Sequence, residues 1–249
     1  PYIIGTSAGA LFGATIAMML PVSFALFGFG LVPIAAFLGA LGAVLVVYNL
    51  ARVGGKTPVV SMLLAGFAVS SLLAAASFFT ANLSSKEGHM ETVWSFLWGS
   101  ISVSGWSQII LITPLIVGGI VLARFFAFRL NAFSLGEEGA AYLGINVERD
   151  KLLILGLGSL LTAAAVSISG LVGFVGLVVP HAVRLVLGPD HRLLLPASAL
   201  CGGSFLVIAD LVARTARAPD EIQIGILTAL IGAPFFIYLL RRTRREYAF

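Results

Sequence analysis

Six stretches of this chain carry no Asp, Glu, Lys or Arg: Pro1–Ala51, Thr57–Ser85, Thr92–Ala123, Leu152–Val183, Leu193–Ala209 and Ile222–Leu240. A helix crossing a bilayer needs about 20 apolar residues. The blocks therefore read as membrane spans, and several hold more than one. A transmembrane barrel would show short alternating segments instead. Charged residues make up 10% of the chain, against roughly 25% in a soluble domain. The fold class is all-α, a polytopic membrane helix bundle.

Pro21 and Pro33 divide the first block, and Ser169-Gly170 with Gly173 bends the Leu152–Val183 block. Eight spans result, at about 3–20, 31–50, 59–82, 107–127, 152–169, 172–187, 193–213 and 222–240. If the first runs from inside to outside, 12 of the 15 Lys and Arg residues fall on one side. These are Arg52, Lys56, Arg124, Arg129, Arg149, Lys151, Arg184, Arg192, Arg241, Arg242, Arg244 and Arg245. Only Lys86, Arg214 and Arg217 fall on the other. Positive residues stay inside, so the C-terminus is expected in the cytoplasm. The net charge of +4 equals the C-terminal arginine cluster alone. That cluster reads as an anchor to anionic headgroups, not as a nucleic-acid surface. Cys201 is the one cysteine and can form no internal disulfide. The chain starts at Pro1 inside an apolar block and is expected to be a piece of a longer protein.

One segment breaks the pattern. Seven of the 26 charged residues (Arg129, Glu137, Glu138, Glu148, Arg149, Asp150 and Lys151) lie between Phe128 and Lys151. Ser134-Leu-Gly-Glu137 fits a capping box. A short helix can run from there to Leu143, with Gly144 as its C′ residue. Asn146 can cap a second helix whose first turn holds Glu148 and Asp150. The 134–151 cassette thus reads as helix, glycine turn, helix on the cytoplasmic side of one domain spanning 1–249. A solvated loop with local helicity is the plainer alternative to a docking element.

Other motifs weigh less. Gly5, Gly9 and Gly13 share one helix face and read as close helix packing. Gly54-Gly55-Lys56-Thr57 resembles the end of a phosphate-binding loop. It lacks the earlier glycine, since Leu50 stands there, and it follows an apolar span instead of a strand. A tight turn, with Thr57-Pro58 opening the next helix, fits better. Trp94, Trp98 and Trp106 gather in one external loop, where Thr92–Trp98 can form a short helix. It is either an interfacial anchor or a helix at an external pore mouth. Asp210 and Arg214 make an i,i+4 pair in the favourable order. His181 reads as a packing or interfacial residue. No Cys/His/carboxylate cluster has metal-site spacing, and no nucleophile–base arrangement points to an enzyme.

Taken in order, these residues resemble the FecCD-type permease subunit of binding-protein-dependent ABC importers for ferric siderophores, haem and cobalamin. The resemblance rests on Pro1-Tyr-Ile-Ile-Gly-Thr-Ser-Ala-Gly-Ala10, Leu63-Leu-Ala-Gly66, Trp98-Gly-Ser100 and Leu135-Gly-Glu-Glu-Gly-Ala-Ala-Tyr-Leu-Gly-Ile-Asn146. It continues through Gly173-Phe-Val-Gly-Leu-Val-Val-Pro-His-Ala-Val-Arg184, Gly188-Pro-Asp-His-Arg-Leu-Leu-Leu-Pro196, Ala209-Asp-Leu-Val-Ala-Arg214 and Gly225-Ile-Leu-Thr-Ala-Leu-Ile-Gly-Ala-Pro-Phe-Phe236.

The resemblance implies a member lacking the first two of ten spans. It implies a non-catalytic permease in a bacterial or archaeal cytoplasmic membrane, paired with a second copy. Its further partners would be two cytoplasmic ATP-binding subunits, a periplasmic or surface-anchored binding protein, and membrane lipid. ATP and Mg would sit on the ATPase, with no cofactor on this chain. Glu137, Glu138, Ala140, Ala141, Leu143 and Gly144 would contact the ATPase, and Arg214 the binding protein. Thr57, Pro58, Val59 and Val60 would form the cytoplasmic gate, although the family carries small hydroxyl residues where Pro58, Val59 and Val60 stand. The implied cargo is an iron chelate, a ferric siderophore by default, with haem and cobalamin as alternatives. The alternative mechanism is an ion-coupled secondary transporter, which normally places ionisable residues at the membrane centre.

Overall fold

The structure is a computed structural model that describes residues 4–20, 25–26, 29–83, 89–101, 105–217 and 220–246. Pro21, Lys86 and the first three residues of the Pro1–Ala10 motif lie outside them. In chain order the elements are α1 (Thr6–Met19), a small hairpin of β1 (Ala25–Leu26) and β2 (Phe29–Gly30), α2 (Leu31–Ala51) and α3 (Val59–Leu83). Then come α4 (His89–Trp98), α5 (Trp106–Phe125), α6 (Ala127–Phe133), α7 (Glu137–Tyr142) and α8 (Val147–Ser169). The chain closes with α9 (Val175–Leu187), α10 (His191–Thr215) and α11 (Ile224–Glu246).

Each expected span has its helix. Five helices (α2, α3, α5, α8 and α10) are long and apolar enough to cross a membrane, and α1, α9 and Ile224–Leu239 are shorter apolar helices. Two boundaries moved for a physical reason. The second cassette helix and the following span are one continuous helix, α8, because the Asn146 cap opens it directly. The sixth span starts as non-helical chain: α9 has 13 residues, about 20 Å of helix at 1.5 Å per residue.

The core forms where α1 packs against α2, α3 and α8. The glycine face does what its spacing predicts. A Cβ on Gly9 would lie 2.4 Å from the Gly39 carbonyl oxygen, and one on Gly13 would lie 2.1 Å from that of Ala35. Without a hydrophobic force between helices in lipid, such close backbone approach supplies the packing energy. Large apolar side chains elsewhere point outward, among them Leu64, Phe67 and Phe79 of α3 and Leu200 and Val207 of α10. Apolar surface of that extent needs lipid or another apolar partner around it.

The helices meet at two ends. One end carries the α2–α3 turn, the cassette and the α9–α10 turn, and is called the basic end below. At the opposite end α4 is seated against α1, α3 and α11. Its Val93 is buried, and the Trp94 ring lies 5.7 Å from that of Phe78. The short helix expected at Thr92–Trp98 therefore forms and is built into the bundle, while Trp106 is exposed.

Candidate functional site

The cassette folds as helix, glycine turn, helix, but its first helix opens differently from the expected capping box. An extra helix, α6, runs through Phe133, so Ser134 closes that helix and its hydroxyl donates to the Asn131 carbonyl. Gly136 (φ +89°) then precedes α7, with no side-chain cap. The Glu137 carboxylate is 2.8 Å from Lys151 Nζ. The exit from α7 follows the expected pattern. Gly144 has φ +78°, its N–H donates to the Ala141 carbonyl (2.9 Å), and the Ile145 N–H donates to that of Ala140 (3.2 Å). This is a Schellman closure, and the left-handed C′ position favours glycine. Asn146 Oδ1 accepts the Arg149 N–H at 3.2 Å and so caps α8.

Side chains from distant loops fasten this element. Thr57 donates twice to Glu148 Oε2, from its N–H (3.2 Å) and from its hydroxyl (2.9 Å). Lys151 Nζ donates to the Thr57 carbonyl at 3.3 Å and lies 3.5 Å from Glu148 Oε1. Arg129 of α6 pairs with the buried Asp150 of α8 at 3.0 Å, and its guanidinium stands 5.0 Å from the Phe126 ring centroid. Asn131 binds the α9–α10 turn: its amide donates to Asp190 (2.7 Å), and its carbonyl accepts the His191 N–H (2.9 Å). The Arg192 N–H, and after it the Asn131 amide, hold the Asp190 carboxyl below its ordinary range.

Glu137, Glu138, Ala141, Leu143 and Gly144 are exposed on the cassette. Ala140 is not: it is 0% exposed. It turns into the chain, and its carbonyl takes part in the closure of α7, so it supports the surface without forming it. Tyr142, which the sequence reading passed over, is 90% exposed in the middle of the same face.

The segment Thr57–Val60 divides in two. Gly54 (φ +59°) and Gly55 (φ +82°) make a two-residue turn. Val53 and Lys56 close it with reciprocal backbone bonds of 2.9 and 3.1 Å, the pattern of a type I′ hairpin turn. Thr57 is 3% exposed, whereas Pro58, Val59 and Val60 face outward at the start of α3.

At the opposite end Arg214 is already engaged. Its Nε meets Asp210 Oδ2 at 2.8 Å, the pair expected from spacing. Its Nη1 meets Glu221 Oε1 at 3.1 Å, and its Nη2 donates to the Ile101 carbonyl at 2.7 Å. No local spacing announces the last two partners. A cavity of about 380 Å³ also lies between α1 and α3, lined by Ser7, Leu11, Phe67, Ser70, Ser71 and Leu97. The Ser70 hydroxyl is buried without a hydrogen-bond partner among the described residues. Scattered serines in apolar helices gave no sequence pattern for it.

The sequence profile of the FecCD transport family matches residues 1–242. The chain belongs to the FecCD transport family. It is 49% identical over 242 residues to the cobalamin import system permease protein BtuC of Halobacterium salinarum, covering 97% of this chain and 63% of that one. It is 38% identical over 251 residues to the hemin transport system permease protein HmuU of Yersinia pestis, covering 99% and 73%. A solved structure, described as an inward-facing conformation of a metal-chelate type ABC transporter, superposes with a TM-score of 0.87 at 31% identity. That match covers 97% of this chain and 75% of that one. The chain thus spans just under two thirds of the first relative's length. Family membership accords with the multi-pass helix bundle.

Proposed function

We propose that this chain serves as the membrane permease of an ABC importer for a metal chelate. The observation that carries the reading is the cassette, a preorganised helix–turn–helix presented outward and fastened at both ends to the bundle. Such a surface suits a partner whose movement must reach the membrane helices. Glu137, Glu138, Ala141, Tyr142, Leu143 and Gly144 form the face for a cytoplasmic ATPase, which holds the ATP and Mg. A second copy pairs through the exposed apolar helix faces, and Thr57–Val60 stands at the cytoplasmic mouth of the path between them. Arg214, with the acidic groups around it, belongs to the face for a substrate-binding protein. The membrane is the cytoplasmic one, and the C-terminal arginines lie on its inner side. The cycle alternates between two packed states that ATP and the loaded binding protein favour differently.

The cargo proposed for the first test is a corrinoid, because the 49% identical relative is named for cobalamin import. Haem and a ferric siderophore, the default from sequence, come next. The test uses the full-length permease co-expressed with its ATPase. Gly144→Pro removes a donor and forbids φ +78°, and Glu138→Arg reverses an exposed charge on the docking face. Both are expected to lower ATPase co-purification and chelate uptake by about ten-fold or more, an interface loss of about 1.4 kcal/mol or more. Unchanged association and uptake in both variants would sink the docking role.

A further inference from the structure

The start of α3 is poorly held by apolar contact. Arg52–Lys56 and Pro58–Val60 are all exposed, with Val59 at 57% and Val60 at 67%. Thr57 is the single buried residue in that run. Its N–H, hydroxyl and carbonyl all go to side chains of the first turns of α8, 91 and 94 residues along the chain.

The receiving groups are shared between the two sides. Glu148 uses Oε2 for Thr57 and Oε1 for Lys151, and Lys151 Nζ has oxygens of Thr57, Glu148 and Glu137 within reach. An ammonium has three donors, so it can serve all three at once. The Lys151 side chain is 13% exposed and that of Glu148 36%, so the joint is part-buried, while Glu137 is 54% exposed on the cassette. One ammonium therefore touches the helix that faces outward and the turn that opens α3.

We propose that Lys151 and Glu148 form a polar latch that carries displacement of α7 to the start of α3. The inference rests on the permease reading, since α7 is there the element a partner moves. Hydrogen bonds suit this position better than apolar packing. Directional bonds to a backbone carbonyl and N–H fix the turn in three dimensions, yet each can be exchanged for water when the ends separate. Lys151 and Glu148 are positioning residues: neither belongs to the docking face or lines the cavity.

Two measurements on the full-length permease in lipid nanodiscs test this. In the first, hydrogen exchange compares Lys151→Met with wild type. Amides of residues 52–60 are expected to exchange about ten-fold faster, with α1 and α2 unchanged, because the turn opens locally. Thr57→Val, which keeps the N–H bond and loses the hydroxyl bond, is expected to accelerate the same amides about three-fold. In the second, with the ATPase assembled, Lys151→Met is expected to cut chelate uptake per ATP hydrolysed by about ten-fold, and Lys151→Arg to restore much of it. Unchanged exchange at 52–60 in both variants, or unchanged uptake per ATP, overturns the latch. Failure of the wild-type permease to bind any ATPase overturns the permease reading instead, and the exchange measurement still decides the latch.

Discussion

At the basic end, loops as far apart as 94 residues meet through side chains: Lys151 on Thr57, Arg129 on Asp150, Asn131 on Asp190. At the opposite end, apart from the Arg214 contact with the Ile101 carbonyl, the tightest joints are made of backbone. The Ser100 N–H donates to the Ser169 carbonyl and the Leu171 N–H to that of Phe96, both at 2.9 Å. A Cβ on Gly99, Gly170 or Gly225 would lie 2.8, 2.7 or 2.1 Å from a neighbouring carbonyl oxygen. The two arrangements respond differently to load. A backbone knot without side chains has no slack: it keeps its geometry or fails. Ion pairs and hydroxyl bonds can lengthen, exchange partners and re-form. The molecule thus has a stiff end and an adjustable end, and the cassette sits at the adjustable one.

The largest effect is expected where slack is least. Gly225→Ala puts a methyl 2.1 Å from the Trp98 carbonyl oxygen and 3.3 Å from that of Leu171. Both obstacles are backbone, so no rotamer change relieves them. Overpacking of this kind costs about 3 kcal/mol, to be read as a lowered thermal midpoint in nanodiscs. A change below about 0.5 kcal/mol, the usual range for a surface substitution, would show that the backbone knot yields and would remove the contrast between the ends.

An intermediate effect is expected from Arg129→Met. Asp150 is 6% exposed, so the variant leaves a buried carboxylate without its ion partner. The expected loss is about 2 kcal/mol, the range for orphaning a buried charged hydrogen bond. Adding Asp150→Asn should return part of it, because an amide is cheaper to leave unpaired. A matching rescue does not exist for the glycines, whose neighbours are main chain. If the double variant were as unstable as the single, the basic end would be no more adjustable than the other.

How much of this was readable in advance divides along the same line. The spans were legible because a charge-free run has one affordable environment. The α1–α2 contact was legible because Gly5, Gly9 and Gly13 repeat at helical spacing, and Gly144 and Asn146 because their roles are set within five residues of chain. Ser134 misled for the same reason: its local pattern fits a cap, but α6 reaches it first. The Thr57–Glu148 joint stayed hidden since nothing in either segment names the other across 91 residues. The backbone knot stayed hidden too. Gly170 reads from sequence only as a bend, and Gly99 and Gly225 carry no spacing that names a partner. Tyr142 was passed over because an exposed tyrosine has no periodicity to mark it.

The smallest effect is expected from the charged pairs at the stiff end. Arg217 and Asp220 lie 3.7 Å apart with side chains 74% and 73% exposed. Water screens such a pair, and ordering two long side chains offsets the attraction, so Arg217→Ala should cost about 0.5 kcal/mol or less. What remains should vanish at 1 M salt, where the screening length is about 3 Å. Arg214→Ala is the sharper control, because its guanidinium also holds the Ile101 carbonyl at 2.7 Å and so ties α10 to the segment after α4. Its loss should persist in salt. If Arg217→Ala instead matched Arg214→Ala in size and salt dependence, charge would be closing that end. The division between a backbone-locked end and a side-chain-latched end would then fail.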